Sequence, residues 1–265
     1  MKICYFTATG NSLYVSKRIG GELLSIPMLM RQNKIELTDD AVGIVCPVYA
    51  GEMPRMVRKF LEKANIKTEY FFFIYTYGMF ETVARPNAVL AARKAGLTLH
   101  YVNAIQMVDN YLPGFEMQNQ IDTAPKKKIE EHLERICKDI SDRRVGTYSV
   151  SALDKIKMGV VHGTMGKAVL KGTAAQSYMV NQDCICCGIC EKVCPAGNIK
   201  VADKVIFSDR CEVCYACLHN CPKHAIHLKT ERSAVRFRNE HITLQELLSA
   251  NNVDLDNCRN KADKS

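Results

Sequence analysis

The first hundred residues alternate between two apolar periods. Residues 2–6 (KICYF) form a short apolar run, and the chain then passes through TATGNS into SLYVSKRIGGELL, where apolar positions recur at helical spacing. Residues 41–46 (AVGIVC) read as another buried strand, ending at Pro47. Residues 54–64 (PRMVRKFLEKA) open with a proline suited to a first helical turn and keep the helical period. Residues 70–76 (YFFFIYT) are continuously apolar and aromatic, as in a strand covered on both faces. Residues 84–95 read as a helix stopped by Gly96, and 97–107 (LTLHYVNAIQM) as a further strand. Strands alternating with helices predict an α/β fold with a doubly wound parallel sheet.

From 108 to 125 the alternation breaks down, with Pro113, Gly114 and Pro125 as punctuation. Residues 126–143 form a charged helix whose apolar stripe is Ile129, Leu133, Ile136 and Ile140. Residues 151–175 are mildly basic and interrupted by Gly159, Gly163, Gly166 and Gly172. Glycine at that density argues against a membrane-surface helix, so the segment is expected to connect domains. Residues 178–228 hold most of the cysteines. A polar tail follows with one helical signature, Thr243 ahead of LQELLSA, and fraying is expected from Asn251 onward. The expected organisation is a sheet domain with a helical extension over 1–145, a connector over 146–177, a cysteine domain over 178–230 and a tail over 231–265.

The length of 265 residues accommodates one large and one small domain. No apolar run approaches the roughly 20 residues that span a bilayer. The start, MKICYFTATGN, turns polar too soon for a signal peptide, so a cytoplasmic location is expected. Thirteen cysteines would be a disulfide framework only in a secreted chain; clustered in a reducing compartment they point to metal.

The cysteines repeat a spacing. The first run is Cys184-x2-Cys187-x2-Cys190-x3-Cys194-Pro195 and the second is Cys211-x2-Cys214-x2-Cys217-x3-Cys221-Pro222. Three cysteines with two residues between each wrap one face of a [4Fe–4S] cube, and the fourth reaches the other cluster. The expected ligand sets are therefore Cys184, Cys187, Cys190 with Cys221, and Cys211, Cys214, Cys217 with Cys194. Zinc would use paired CxxC units and has no need of the third and fourth cysteines. Gly188 and Ala216 suit close approach of backbone to a cluster. Cys186 lies off the ligand register and is expected to be a packed thiol. Tyr215 either shields a cluster from water or simply packs, and His219 and His224 read as surface or packing residues. Residues 181–228 resemble a bacterial two-cluster ferredoxin, a family that relays single electrons at low potential.

The formal charge of +8 is largely offset by two such clusters and one phosphate monoester, leaving roughly +2. No nucleic-acid module accompanies the basic residues, so nucleic-acid binding is not expected.

The loop Thr7-Ala8-Thr9-Gly10-Asn11-Ser12 joins the first strand to the first helix, where backbone N–H groups and the helix dipole favour an anion. It lacks GxGxxG and the lysine of a P-loop. By itself it is either a phosphate cradle or a capped helix start. With strand order 2-1-3-4-5, a mononucleotide would sit at the carboxyl ends of the strands, flanked by the loops Pro47-Val48-Tyr49-Ala50-Gly51 and Thr76-Tyr77-Gly78. Tyr49 and Tyr77 are placed to stack on an aromatic ring.

These motifs resemble flavodoxin: T-x-T-G-N-S matches its phosphate loop and TYG its third flavin-contacting loop, over roughly residues 1–107. The resemblance implies a five-stranded flavodoxin-like sheet of order 2-1-3-4-5 binding FMN, with Thr7, Thr9, Gly10, Asn11 and Ser12 on the phosphate. Two departures stand out: no tryptophan stacks on the flavin, and the segment after 108 displaces or replaces the usual final helix. The two halves together resemble the EFR-type flavodoxin–ferredoxin fusion family, known mainly by homology in anaerobes.

That resemblance implies an electron-transfer flavoprotein exchanging low-potential electrons with an external redox partner. Two other classes remain open at this point. One is a flavin-dependent reductase of a small organic substrate, for which Glu52, Glu81 and His100 are the nearest proton-donor candidates and each reads better as a surface residue. The other is a cluster-based redox sensor.

Overall fold

The computed structural model describes residues 1–161, 163 and 174–251. The first part runs β1 (Lys2–Tyr5), α1 (Asn11–Ile19), β2 (Glu22–Ser25), α2 (Ile26–Leu29), β3 (Glu36–Thr38), β4 (Ala41–Pro47), α3 (Arg55–Lys63), β5 (Asn65–Lys67), β6 (Tyr70–Tyr77), α4 (Ala84–Lys94) and β7 (Leu99–Gln106). Five of these strands form one parallel sheet in the order β2-β1-β4-β6-β7. Counted along the sheet's own strands this is 2-1-3-4-5, the expected doubly wound α/β arrangement. β3 and β5 pair separately as a short parallel ribbon that the sequence pattern does not predict.

Successive residues of a strand face opposite sides, and both sides of this sheet are covered. One face of β6 sends Phe71, Phe73 and Tyr75 into a core with Val57 and Phe60 of α3 and Ala84 and Ala88 of α4. The other sends Phe72 and Ile74 against Leu13 and Val15 of α1. This double burial is why 70–76 carries no polar alternation. At the centre, Gly43 lies opposite Phe72 in register, and a Cβ there would sit 2.1 Å from the phenyl ring.

The expected first helix is corrected. SLYVSKRIGGELL is not one helix: α1 stops at Ile19, and Glu22–Ser25 is the edge strand beside β1. Gly20 and Gly21 take φ of 87° and 95°, a conformation that favours glycine. A Cβ on Gly21 would lie 2.6 Å from the Met1 carbonyl oxygen, so its absence lets the chain turn tightly there. Leu23 and Leu24 kept the helical spacing and masked the break.

After β7 come α5 (Met117–Asp122) and α6 (Ile129–Ser141). Leu133, Ile136 and Ile140 of α6 are buried and Ile129 half-buried, as the stripe predicts. α6 packs beside α1 and over β7, so it covers the sheet face that a final helix would cover. Next, α7 (Ala152–Val161) leads to the cysteine region, which comprises β8 (Met179–Val180), α8 (Ile189–Lys192), β9 (Ile199–Val201), β10 (Val205–Phe207), α9 (Ala216–His219) and β11 (Ile226–His227). β8 pairs antiparallel with β11, and β9 with β10. Val193, Cys214 and Ala216 of this region are buried in the same core as α3 and α4.

The segment expected to be a tail returns to the sheet. Its helix α10 (Leu244–Asn251) buries Leu247 and Ala250, and with them Ile242, in the core shared by α1 and α6. The Ser25 hydroxyl donates to the Ala250 carbonyl, and Arg31 to that of Asn251 at 2.7 Å. Asn251 is buried rather than frayed, its amide donating to the Val193 carbonyl at 3.1 Å; residues 252–265 lie outside the described residues.

Thr243 caps α10 reciprocally with Glu246: the Glu246 N–H donates to the Thr243 hydroxyl at 3.2 Å, and the Thr243 N–H to the Glu246 carboxylate at 2.8 Å. Lys17 of α1 also reaches that carboxylate, at 2.6 Å. Hydrogen bonding to Lys17 first, and then to Thr243, lowers the Glu246 pKa to about 2. The ionised form thus stabilises the fold above its unfolded pKa of about 4.3, and that contribution is lost as pH falls toward about 2. Glu246→Gln is therefore expected to lower the denaturation midpoint at pH 7, with the gap from wild type closing in acid. A gap as wide at pH 2 as at pH 7 would contradict this.

Candidate functional site

A cavity of about 560 Å³ opens at the carboxyl edge of the sheet, where the strand order reverses between β1 and β4. Thr7, Thr9, Asn11 and Ser12 line it from the first loop, and Pro47, Val48, Tyr49, Ala50 and Gly51 from the second. Thr76, Tyr77 and Gly78 line it from the third. The structure thus brings together every residue proposed from these loops except Gly10, which faces away. Gly10 takes φ 102° at the start of α1, and a Cβ there would meet Asn239 and Ile242 at 3.0 Å.

Hydroxyls organise the first loop. The Thr7 hydroxyl accepts from the Gly10 N–H at 3.2 Å, and the Ser12 and Thr76 hydroxyls share a 2.9 Å hydrogen bond that ties the first loop to the third. α1 has no side-chain cap, so the positive end of its dipole meets the cavity without a compensating side chain. The Tyr49 ring meets Phe6 edge-on at 6.3 Å, and its buried hydroxyl has no hydrogen-bond partner among the described residues. Burial raises its pKa well above the usual phenol value, and the neighbouring Cys214 adds to the rise.

Two walls were not legible beforehand. One follows β7. Asp109 packs on Gly78, where a Cβ would lie 1.9 Å from its carboxylate, and it accepts from the N–H groups of Met79 at 3.1 Å and Tyr111 at 2.9 Å. Burial raises its pKa, against the lowering effect of those N–H bonds. Asn110 beside it donates to the Thr9 hydroxyl at 3.1 Å. The strand-order rule was the available signal, since it places the loop after β7 at the same edge. The other wall is Val213 and Tyr215 of the second cysteine run, for which the sequence carried no signal.

The three proton-donor candidates do not line the cavity. Glu52, expected at the surface, is buried; it is ion-paired with Arg58 and accepts from the Asn87 amide at 2.9 Å. Glu81 pairs with Arg85 at 3.1 Å. His100 accepts from the Phe71 N–H near the amino end of β6, away from the cavity.

The cysteines gather in two sets. Cys184, Cys187, Cys190 and Cys221 line one small cavity, which Cys186 also borders, and Cys194, Cys211, Cys214 and Cys217 line another. Cys194 and Cys221 each join the set built mainly by the other run. Among the described residues no three His, Cys, Asp or Glu side chains converge closely enough to hold a single metal ion. Each set supplies four cysteine sulfurs, the donor set that an iron–sulfur cube would take. N–H groups of Asn198, Val213 and Ala225 donate at 3.3 Å to the sulfurs of Cys194, Cys211 and Cys221; burial raises the Cys194 and Cys211 thiol pKa values, and the N–H bonds from Asn198 and Val213 work against that rise.

The two runs also repeat their backbone. Left-handed residues occur at Cys186 and Val213, at Gly188 and Tyr215, and at Gly197 and His224. Each pair occupies matching places in the two runs. Gly188 has φ 78° and no protein atom within 4 Å of where a Cβ would point, and the matching Tyr215 takes the same left-handed conformation with a side chain. Its counterpart is Tyr215 and not Ala216, which instead packs in the core. Tyr215 is buried and lines both the large cavity and the Cys211 set. His219 is also buried, and its Nδ1 accepts from the Phe237 N–H while Nε2 donates to the Asn110 carbonyl; burial lowers its pKa to about 4. His224 is exposed. The Cys186 thiol donates to the Asp203 carbonyl. Cys4 and Cys46 are packed in the sheet core, where burial pushes the Cys4 thiol up to about 12.

Exposure separates the two sets. Cys187 is exposed and Cys184 and Cys221 are half-buried, whereas all four cysteines of the Cys211 set are buried. Arg55 of α3 holds the buried set against the sheet domain, donating to the Cys211 carbonyl at 3.1 Å and pairing with Glu212 at 3.6 Å. Among the described residues no helix is long and apolar enough to cross a membrane.

No family model matches the chain. A 48-residue stretch is 46% identical to a component of the ion-translocating oxidoreductase complex of Methanosarcina acetivorans, covering 17% of this chain and 18% of that protein. The chain therefore aligns with less than a fifth of that relative's length. Among solved structures, an archaeal flavodoxin aligns at 14% identity and a TM-score of 0.31, over 51% of this chain and 99% of its own. The rubredoxin oxygen:oxidoreductase of the anaerobe Desulfovibrio gigas aligns at 9% identity and a TM-score of 0.31, over 52% of this chain and 35% of its own.

Proposed function

We propose that this chain is an iron–sulfur flavoprotein of flavodoxin–ferredoxin fusion type, which passes electrons between FMN and two [4Fe–4S] clusters and exchanges them with an external redox protein. The observation that carries this reading is the shared wall: Val213 and Tyr215, next to Cys211, Cys214 and Cys217, line the same cavity as Thr7, Thr9 and Tyr77. A ligand in that cavity would be in contact with residues that also border the buried cysteine set.

FMN takes electrons in pairs or singly and each cubane takes one, so together they link two-electron and one-electron chemistry. The residues supply the rest. Thr7, Thr9, Asn11, Ser12 and the start of α1 hold the phosphate, with Gly10 setting the loop's path. Pro47 to Gly51 and Thr76 to Gly78 enclose the ring, with Tyr49 and Tyr77 beside it. Cys194, Cys211, Cys214 and Cys217 hold the inner cluster. Cys184, Cys187, Cys190 and Cys221 hold the outer one, which faces the partner. In this reading the flavin domain covers 1–145, the connector 146–177 and the cluster domain 178–230. The segment from 231 completes the flavin domain rather than trailing from it.

The test is a count of cofactors on protein prepared without oxygen. One FMN should accompany two cubanes' worth of iron and sulfide, and reducing the clusters should bleach the flavin spectrum. Full iron and sulfide with no flavin would remove the proposal's central element.

Asp109 favours a second reading, reduction of a small organic molecule, because it is a carboxyl lining the cavity whose burial favours the protonated form. Turnover of quinones, enones or nitro compounds with a low-potential donor would support it, and strict inertness would not.

A further inference from the structure

Thr9, in the loop that faces the cavity, is held from two directions. Its hydroxyl accepts from the Asn110 side-chain amide at 3.1 Å, and its carbonyl accepts from the Asn239 N–H at 2.8 Å. The Asn239 amide also donates to the Asn11 side-chain oxygen at 3.1 Å. Both supports lead to one residue of the cysteine region. The Asn110 carbonyl accepts from His219 Nε2 at 2.9 Å, and His219 Nδ1 accepts from the N–H of Phe237, two residues before Asn239, at 3.1 Å. A peptide N–H only donates and a carbonyl only accepts, so the geometry itself fixes the ring with its hydrogen on Nε2.

His219 stands on α9 between Cys217, of the buried set, and Cys221, of the exposed set. It is 5% exposed, so water cannot readily replace either bond. We propose that His219 is a positioning residue that couples the two kinds of site: FMN held on the Thr9 loop and iron–sulfur centres held by the cysteine sets stabilise one another through it. The coupling rests on the FMN reading above. Linkage makes it reciprocal, so a change at either site appears at the other with equal free energy.

The test uses the full chain loaded with its iron–sulfur centres. FMN affinity is read by fluorescence titration, and cluster integrity by the rate at which a chelator removes iron with and without FMN. His219→Phe removes both hydrogen bonds and is expected to weaken FMN binding about tenfold and to abolish the protection of iron by FMN. His219→Gln can donate to the Asn110 carbonyl and accept from Phe237, and should restore most of both effects; a merely space-filling role would not distinguish it from phenylalanine. Should His219→Phe fail to fold, Asn239→Ala, outside the cysteine region, removes the side-chain amide bond to Asn11 while keeping the backbone bond to Thr9, and should reduce the protection. Wild-type affinity and protection in His219→Phe or Asn239→Ala would overturn the coupling. A wild-type chain that binds no FMN would overturn the cofactor assignment itself, and the coupling with it.

Discussion

Cys221→Ser is expected to destroy the iron–sulfur centre built mainly by the first cysteine run and to spare the other. In sequence Cys221 closes the second run, yet its side chain lines the small cavity with Cys184, Cys187 and Cys190. Cys194 makes the opposite crossing. A serine hydroxyl is a poor substitute for the thiolate that iron requires. About half of the iron and sulfide should be lost, and the surviving signal should be that of the buried, slowly accessible centre. Electron paramagnetic resonance of the reduced protein, with metal analysis, separates the two. Damage confined to the centre of Cys211, Cys214 and Cys217 would refute the crossing. Cys194→Ser should give the mirror-image result.

Gly10→Val should abolish most flavin binding while iron and sulfide are still incorporated. Gly10 does not line the cavity, so the effect comes from the loop's path rather than a lost contact. Its φ of 102° is poorly accessible to a β-branched residue. A Cβ would also lie 3.0 Å from the Cβ atoms of both Asn239 and Ile242, which are packed into the returning segment. Relieving either conflict displaces Thr9 and Asn11. The expected loss is at least about tenfold in FMN affinity, since strain of this kind costs roughly 1–3 kcal/mol. Equilibrium dialysis against FMN measures it, and undiminished affinity would show that this loop does not hold the phosphate.

How much of this was legible depended on where each signal resides. β4 and β6 could be read because burial on both faces leaves unbroken apolar runs. β2 could not, because Leu23 and Leu24 fall on the helical period of α1, and the break rests on two glycines. β3 and β5 are too short to leave a pattern. The three cavity loops were accessible because strand order alone places them at one edge. Asp109 and Asn110 needed the loop after β7 to be included in that argument. Val213 and Tyr215 reach the cavity only through docking of the cysteine region, which no local pattern encodes. The returning segment was hidden for a similar reason: its ties to Thr9 include a backbone N–H, which any residue carries.

The placement of α10 makes the α/β unit discontinuous along the chain. Ile242, Leu247 and Ala250 complete an apolar layer whose other members, among them Leu13, Leu133 and Ile136, precede the cysteine region. Topologically the cysteine region is an insertion, anchored at both ends in its host. Dividing the chain between α6 and α7 would therefore not release two tidy modules. It would strip the apolar cover from one fragment and leave the other with an orphaned helix, so both would tend to self-associate.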